Sequence, residues 1–131
     1  LPVWLSAFAL TRTPITLWNR ECPYNVYWRV SYPIVTVVRI DNFAYVTDAN
    51  YIDEEEKKKL IGLDTLIINA LRKETHISHF NLEEALDFIS KVNPKRAYLT
   101  HISHKMGLHK EVSKELPPNI ELAYDGLQVK L

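Results

Sequence analysis

Asp48, His79 and His101 are the residues of this chain whose types and placement best suit chemistry, with Arg72 and His104 close by in sequence. Neutral imidazole and carboxylate are the usual ligands of catalytic zinc and also suit manganese or iron. A carboxylate shared by two metals ~3.5–4 Å apart suits hydrolysis of phosphate esters: the metals make hydroxide at neutral pH and neutralise charge on phosphate oxygens. A nearby imidazolium or guanidinium can then bind a phosphate oxygen or protonate the leaving group. All five histidines (His76, His79, His101, His104, His109) lie beyond residue 75. Taken singly, each candidate has an ordinary role. Asp48 can be a turn or cap residue after a strand, a histidine after a strand is usually surface or hydrogen-bonded, Arg72 and Lys73 can be solvated, and His109 can be structural. The argument rests on the set, because each member follows a predicted strand.

Those strands are legible from residue 34 onward. Val35–Ile40 and Phe43–Thr47 are short β-branched runs around an Asp41-Asn42 turn signal, which predicts a hairpin. Thr65–Asn69 (TLIIN) and Arg96–Thr100 (RAYLT) read as further strands. Between them, 53–60 (DEEEKKKL) has acids first and lysines last, which suits a helix dipole, and Glu54–Lys59 reads as a solvated helical face. Residues 81–92 predict the strongest helix, with Asn81 as N-cap, Glu84 three residues on, and an apolar stripe of Leu82, Ala85, Leu86 and Ile89. Pro94 stops it. A short helix is expected over 108–116, ended by Pro117-Pro118, and strands over 120–123 and 127–131 around Asp125-Gly126. Strand–helix alternation closed by a strand pair implies an α/β layer structure with a mixed sheet. In such sheets ligands bind beyond the carboxyl ends of the strands. If the strands that end at Thr47, Asn69 and Thr100 run parallel, Asp48, Arg72 and the histidines gather at one edge. Thr-His-Ile-Ser-His occurs at 75–79 and again at 100–104, but the flanking sequences differ, so this is read as local convergence rather than a domain repeat.

Residues 1–33 differ in character: all three Trp, four of the seven Pro and the single cysteine, Cys22, lie there. Runs around 15–18 and 25–30 read as strands. The chain begins at Leu1 and its only Met is Met106, so a processed or partial gene product is expected. With 131 residues, 47% hydrophobic and 24% charged, the composition is that of one ordinary globular domain. Lys+Arg and Asp+Glu balance at 16 each, so no net field draws the chain to nucleic acid or an anionic membrane. No apolar run approaches the ~18–20 residues of a membrane span. A lone cysteine forms no internal disulfide, and a cytoplasmic setting is expected.

The stretch from Pro33 to Leu131 resembles the metallo-β-lactamase superfamily, in particular the branch of cyclic phosphodiesterases and related metal-dependent hydrolases. The resemblance lies in 43–48 (FAYVTD), 66–73 (LIINALRK), 78–86 (SHFNLEEAL), 97–104 (AYLTHISH), 107–109 (GLH) and 122–127 (LAYDGL), in that order. It implies half of an αβ/βα sandwich, with a mixed sheet and helices on one face. Residues 34–131 would be the C-terminal half, preceded by an aromatic-rich segment, 1–33. It also implies that Asp48 bridges two divalent metals, zinc or manganese, and that His101 is the last histidine ligand. His79 would contact the substrate phosphate and act as acid; Arg72, from its charge and place in the loop alone, is a further candidate phosphate contact. His104 would sit beside this site as a further candidate catalytic residue.

The departures carry equal weight. The family's His-x-His-x-Asp-His motif is absent. The family also places a ligand histidine just before the strand leading to Asp48, where this chain has 27–33 (YWRVSYP) with Arg29. The expectation is therefore a phosphodiesterase-type hydrolase half acting on a small phosphodiester or nucleotide-like substrate. It would be completed by a missing N-terminal half or a second copy, and the exposed sheet face would be covered by residues 1–33, by a second copy or by a missing partner segment. The competing reading is a non-catalytic α/β binding or oligomerisation module that has lost the site.

Overall fold

The computed structural model describes the backbone of residues 26–31 and 35–130 and the side chains of residues 37–130. Among the described residues, six strands form one sheet in chain order: β1 Val26–Ser31, β2 Val35–Ile40, β3 Phe43–Thr47, β4 Thr65–Asn69, β5 Arg96–Thr100 and β6 Ile120–Leu122. The β1–β2 and β2–β3 pairs are antiparallel, whereas β3–β4, β4–β5 and β5–β6 are parallel. The sheet is therefore mixed, as the alternation of elements predicts.

The parallel half follows from its connections, since parallel neighbours need a crossover. Helix α1, Glu54–Lys58, lies in the β3–β4 connection, α2, Leu82–Val92, joins β4 to β5, and α3, His109–Glu115, joins β5 to β6. Each strand places alternate residues on the helix-covered face. Val46, Ile68, Leu99 and Leu122 form one buried row across that face, and Ala44, Leu66, Ala97 and Ile120 a second. Leu82, Ala85, Phe88, Ile89 and Val92 of α2, Val112 of α3 and Leu60 after α1 complete the core. The other face carries Val38, Tyr45, Ile67 and Tyr98 side by side in register.

Helix α2 matches its sequence signals closely. Asn81 accepts a hydrogen bond from Glu84 N–H at 2.8 Å, and the Glu84 carboxylate accepts one from Asn81 N–H at 2.9 Å. Both bonds of a capping box are thus present. Asn93 closes the helix in the left-handed conformation, φ 53°.

Two expectations change. The closing strand pair does not form: β6 ends at Leu122, and 127–130 is not a strand. The chain turns at Tyr124–Leu127, and Arg96 donates to Lys130 O at 2.8 Å. A side chain, not a ladder partner, thus satisfies that carbonyl. The acidic–basic helix is not wholly a solvated face either, because Glu56 is buried and paired with Lys59 at 2.9 Å. The expected strand at 15–18 and Cys22 lie outside the described residues. The strand expected over 25–30 appears as β1, which falls within the segment 1–33. No described helix is long and apolar enough to cross a membrane.

Candidate metal centre

The site forms at the carboxyl edge of β3, β4 and β5. Asp48 and His101 are each the first residue after a strand, on either side of β4. Strands two places apart lie roughly 9.5 Å from each other, too far for a shared ion on extended backbone. Both residues instead turn sharply into the left-handed region, with φ 56° at Asp48 and 57° at His101. This conformation is uncommon for non-glycine residues and concentrates at functional sites. As a result, His101 Nδ1 lies 3.9 Å from Asp48 Oδ1 across the end of β4.

The third member arrives from the β4–α2 loop. His79 Nε2 lies 3.1 Å from Asp48 Oδ1, and its ring stacks on His101 with centroids 4.6 Å apart. The loop is pinned by main-chain bonds: Phe80 N to Ala49 O at 2.7 Å, Leu71 N to Phe80 O at 2.9 Å, and Leu82 N to Arg72 O at 2.9 Å. The β5 exit is tied to the same loop by Ser103 N to Leu71 O at 2.8 Å. One ligand atom from each of Asp48, His79 and His101 lies within 4.8 Å of the others. Ligands ~2.0–2.2 Å from a zinc ion sit about 3.3 Å apart. These side chains therefore fit one divalent ion after small adjustments, with a coordination position left open. Two imidazoles and a carboxylate are also the right donor chemistry for such an ion.

Behind His79 stands Ser78, which sequence reasoning did not single out. Its hydroxyl lies 2.7 Å from His79 Nδ1 and 3.1 Å from His76 Nδ1. With Asp48 at Nε2, both nitrogens of His79 have polar partners, which fixes the ring's orientation. His76 is held below the ordinary histidine range by desolvation, then by the positive charges of Arg72, His79 and Lys105.

The other predicted residues stand outside the convergence. Arg72 donates from Nε to Glu74 O at 3.3 Å and from a terminal nitrogen to Thr75 O at 2.8 Å, so it shapes the loop that carries His76 and His79. His104 is exposed on a 3-10 turn, His104–Met106, capped by Ser103. His109 begins α3 and faces Leu122 O at 3.3 Å, a structural contact. Lys73 pairs with Glu115 at 2.8 Å on the surface.

The two-histidine, one-carboxylate cluster, whose donors could hold a metal ion, stands at the parallel edge of a mixed α/β sheet. The family model of the beta-lactamase superfamily domain matches residues 5–102, and the chain belongs to that superfamily. A diphosphatase of the PhnP family is similar in structure, with a TM-score of 0.75 and 32% identity over 82% of this chain and 43% of that one. The metallo-β-lactamase-fold protein YhfI from Bacillus subtilis shares the fold at a TM-score of 0.64 and 19% identity, over 88% of this chain and 52% of its own. An octanoyltransferase from Porphyromonas gingivalis is 38% identical over 91 residues, which are 69% of this chain and 18% of that protein. The chain thus spans less than a fifth of this curated relative and under half of the diphosphatase.

Proposed function

We propose that this chain is the C-terminal half of a metal-dependent phosphodiester hydrolase. The observation that carries the reading is the convergence of Asp48, His79 and His101 at one edge of the parallel strands. In this reading Asp48 and His101 would hold the divalent metal, zinc or manganese. The missing ligands come from a segment bearing the His-x-His-x-Asp-His motif. When bound, the metal supplies a hydroxide and neutralises charge on the phosphate. His79, already poised against Asp48, binds a phosphate oxygen and donates the leaving-group proton. Arg72 orders the loop beside it and offers its charge to the phosphate, and His104 borders the site. The substrate class is a small phosphodiester or nucleotide-like compound, which the likeness to a diphosphatase of the PhnP family supports. The octanoyltransferase relative adds nothing on acyl transfer, because the match covers 18% of that protein.

The test is a fusion of this chain to an N-terminal half that carries the missing motif, assayed on bis(p-nitrophenyl) phosphate with zinc or manganese. Metal-dependent hydrolysis is expected, falling by at least about 100-fold in Asp48→Ala, since loss of a ligand exceeds the ~10–100-fold cost of losing its supporting partners. A well-folded fusion without activity sinks the reading and favours a non-catalytic module.

A further inference from the structure

Asn69 is the last residue of β4 and has no solvent exposure. A carboxamide buried so completely must have its hydrogen bonds made within the protein. Both go to a single residue: Asn69 Nδ2 donates to Ala49 O at 2.8 Å, and Ala49 N donates to Asn69 Oδ1 at 3.0 Å. This is the pattern of a ladder rung, made by a side chain. The reason lies in the backbone. The β3–β4 pairing runs to Val46 and Ile68, after which Asp48 enters the left-handed region and the chain leaves the ladder. Main-chain rungs end there, and the Asn69 side chain reaches the departed strand instead.

Ala49 is also the anchor of the opposite loop, since its carbonyl accepts from Phe80 N at 2.7 Å. The residue before Ala49 is Asp48, and the residue before Phe80 is His79. We infer that Asn69 is the positioning residue of this centre. Its carboxamide fixes the Ala49 peptide, and that peptide sets the separation of Asp48 from His79. Asn69 touches neither an ion nor a substrate and acts only through Ala49. The inference rests on the proposed metal site for its functional consequence but not for the clamp itself.

The isotopically labelled chain, free of metal, tests this with Asn69→Asp and Asn69→Ser. The aspartate can still accept from Ala49 N–H but turns a second acceptor against Ala49 O, and the serine is too short to reach. Amide exchange and imidazole resonances are read first, then zinc affinity by competition with a chelator. The expected result is roughly tenfold faster exchange at Ala49 and Phe80. The His79 and His101 ring signals move towards free histidine, while Leu66, Ile68 and Leu99 amides stay protected. Zinc affinity falls about 10–100-fold. Unchanged ring signals and an unchanged Phe80 amide overturn the inference, as does loss of protection throughout β4 and β5 in both variants, which marks a purely structural residue. If the aspartate variant unfolds, the serine variant decides. A wild-type chain that binds no zinc on its own is the incomplete half of the proposed function, whose hydrolase reading the fusion assay decides, and the amide and ring signals still decide the role of Asn69.

Discussion

Asp48 and His101 show how a ligand pair is assembled from strands that are not neighbours. The left-handed turn after each strand swings both side chains over the end of β4. Non-glycine residues adopt that turn at a cost of order 1–2 kcal/mol, and aspartate is among the more tolerant of it. A residue chosen only for stability at position 48 would be glycine, which loses more chain entropy on folding but has no Cβ to crowd. Asp48→Gly is therefore expected to be more stable than Asp48→Ala by about 0.5–1 kcal/mol in urea unfolding. Both variants lose the contact to His79, so their difference isolates the backbone term, and equal stabilities would mean that the turn stores no strain. Asp48, His79 and His101 were legible in sequence because each stands near the end of a readable strand or the start of a readable helix. Ser78 and Asn69 were not. Serine beside histidine has no distinctive pattern, and the polar end of TLIIN looks like an ordinary strand terminus until the departure of β3 is seen. The recurring Thr-His-Ile-Ser-His string supplies its last histidine from one copy and its first from the other, so the two copies are not equivalent.

At the scale of elements, β3, β4, β5 and α2 follow the sequence closely because their signals are local. Apolar runs with β-branched residues, a capping box and a stop at Pro94 are all contained within a few residues. The 127–130 stretch fails for the opposite reason: its alternation is strand-like, but a strand is made by pairing with a distant segment, and Lys130 O instead accepts from the Arg96 side chain. Helix α2 does more than cover the sheet. Its N-cap lies two residues after His79, and Leu82 N–H is satisfied by Arg72 O in the loop that feeds the site. Asn81→Ala removes the acceptor for Glu84 N–H and is expected to cost about 1–2 kcal/mol, the upper part of the capping range, because Asn81 is itself buried. Thermal unfolding checks the cost. A loss below about 0.5 kcal/mol would show that water replaces the cap, and that α2 is held by its apolar stripe alone.

At the scale of the molecule, the two faces of the sheet differ. One is sealed by helices, and the other presents Val38, Tyr45, Ile67 and Tyr98 in one row, with Tyr45 and Ile67 only partly buried. The chain spans 43% of the diphosphatase it resembles. On the proposed function, a second half would supply both the ligands of the absent His-x-His-x-Asp-His motif and a packing partner for this row. Ile67 separates these conditions, because it sits mid-row on β4 while its neighbours Leu66 and Ile68 face the helices. Ile67→Lys in the isolated chain is expected to cost under about 1 kcal/mol, since a lysine can extend its ammonium to water from a partly exposed position. In the fusion with an N-terminal half the same substitution loses the burial of an isoleucine, about 1.5–3 kcal/mol, and confines a charge besides. Urea unfolding of the four proteins gives the comparison directly. A larger penalty in the fusion means that the second half packs on this row. An equal penalty means that the row is not the seam between the halves.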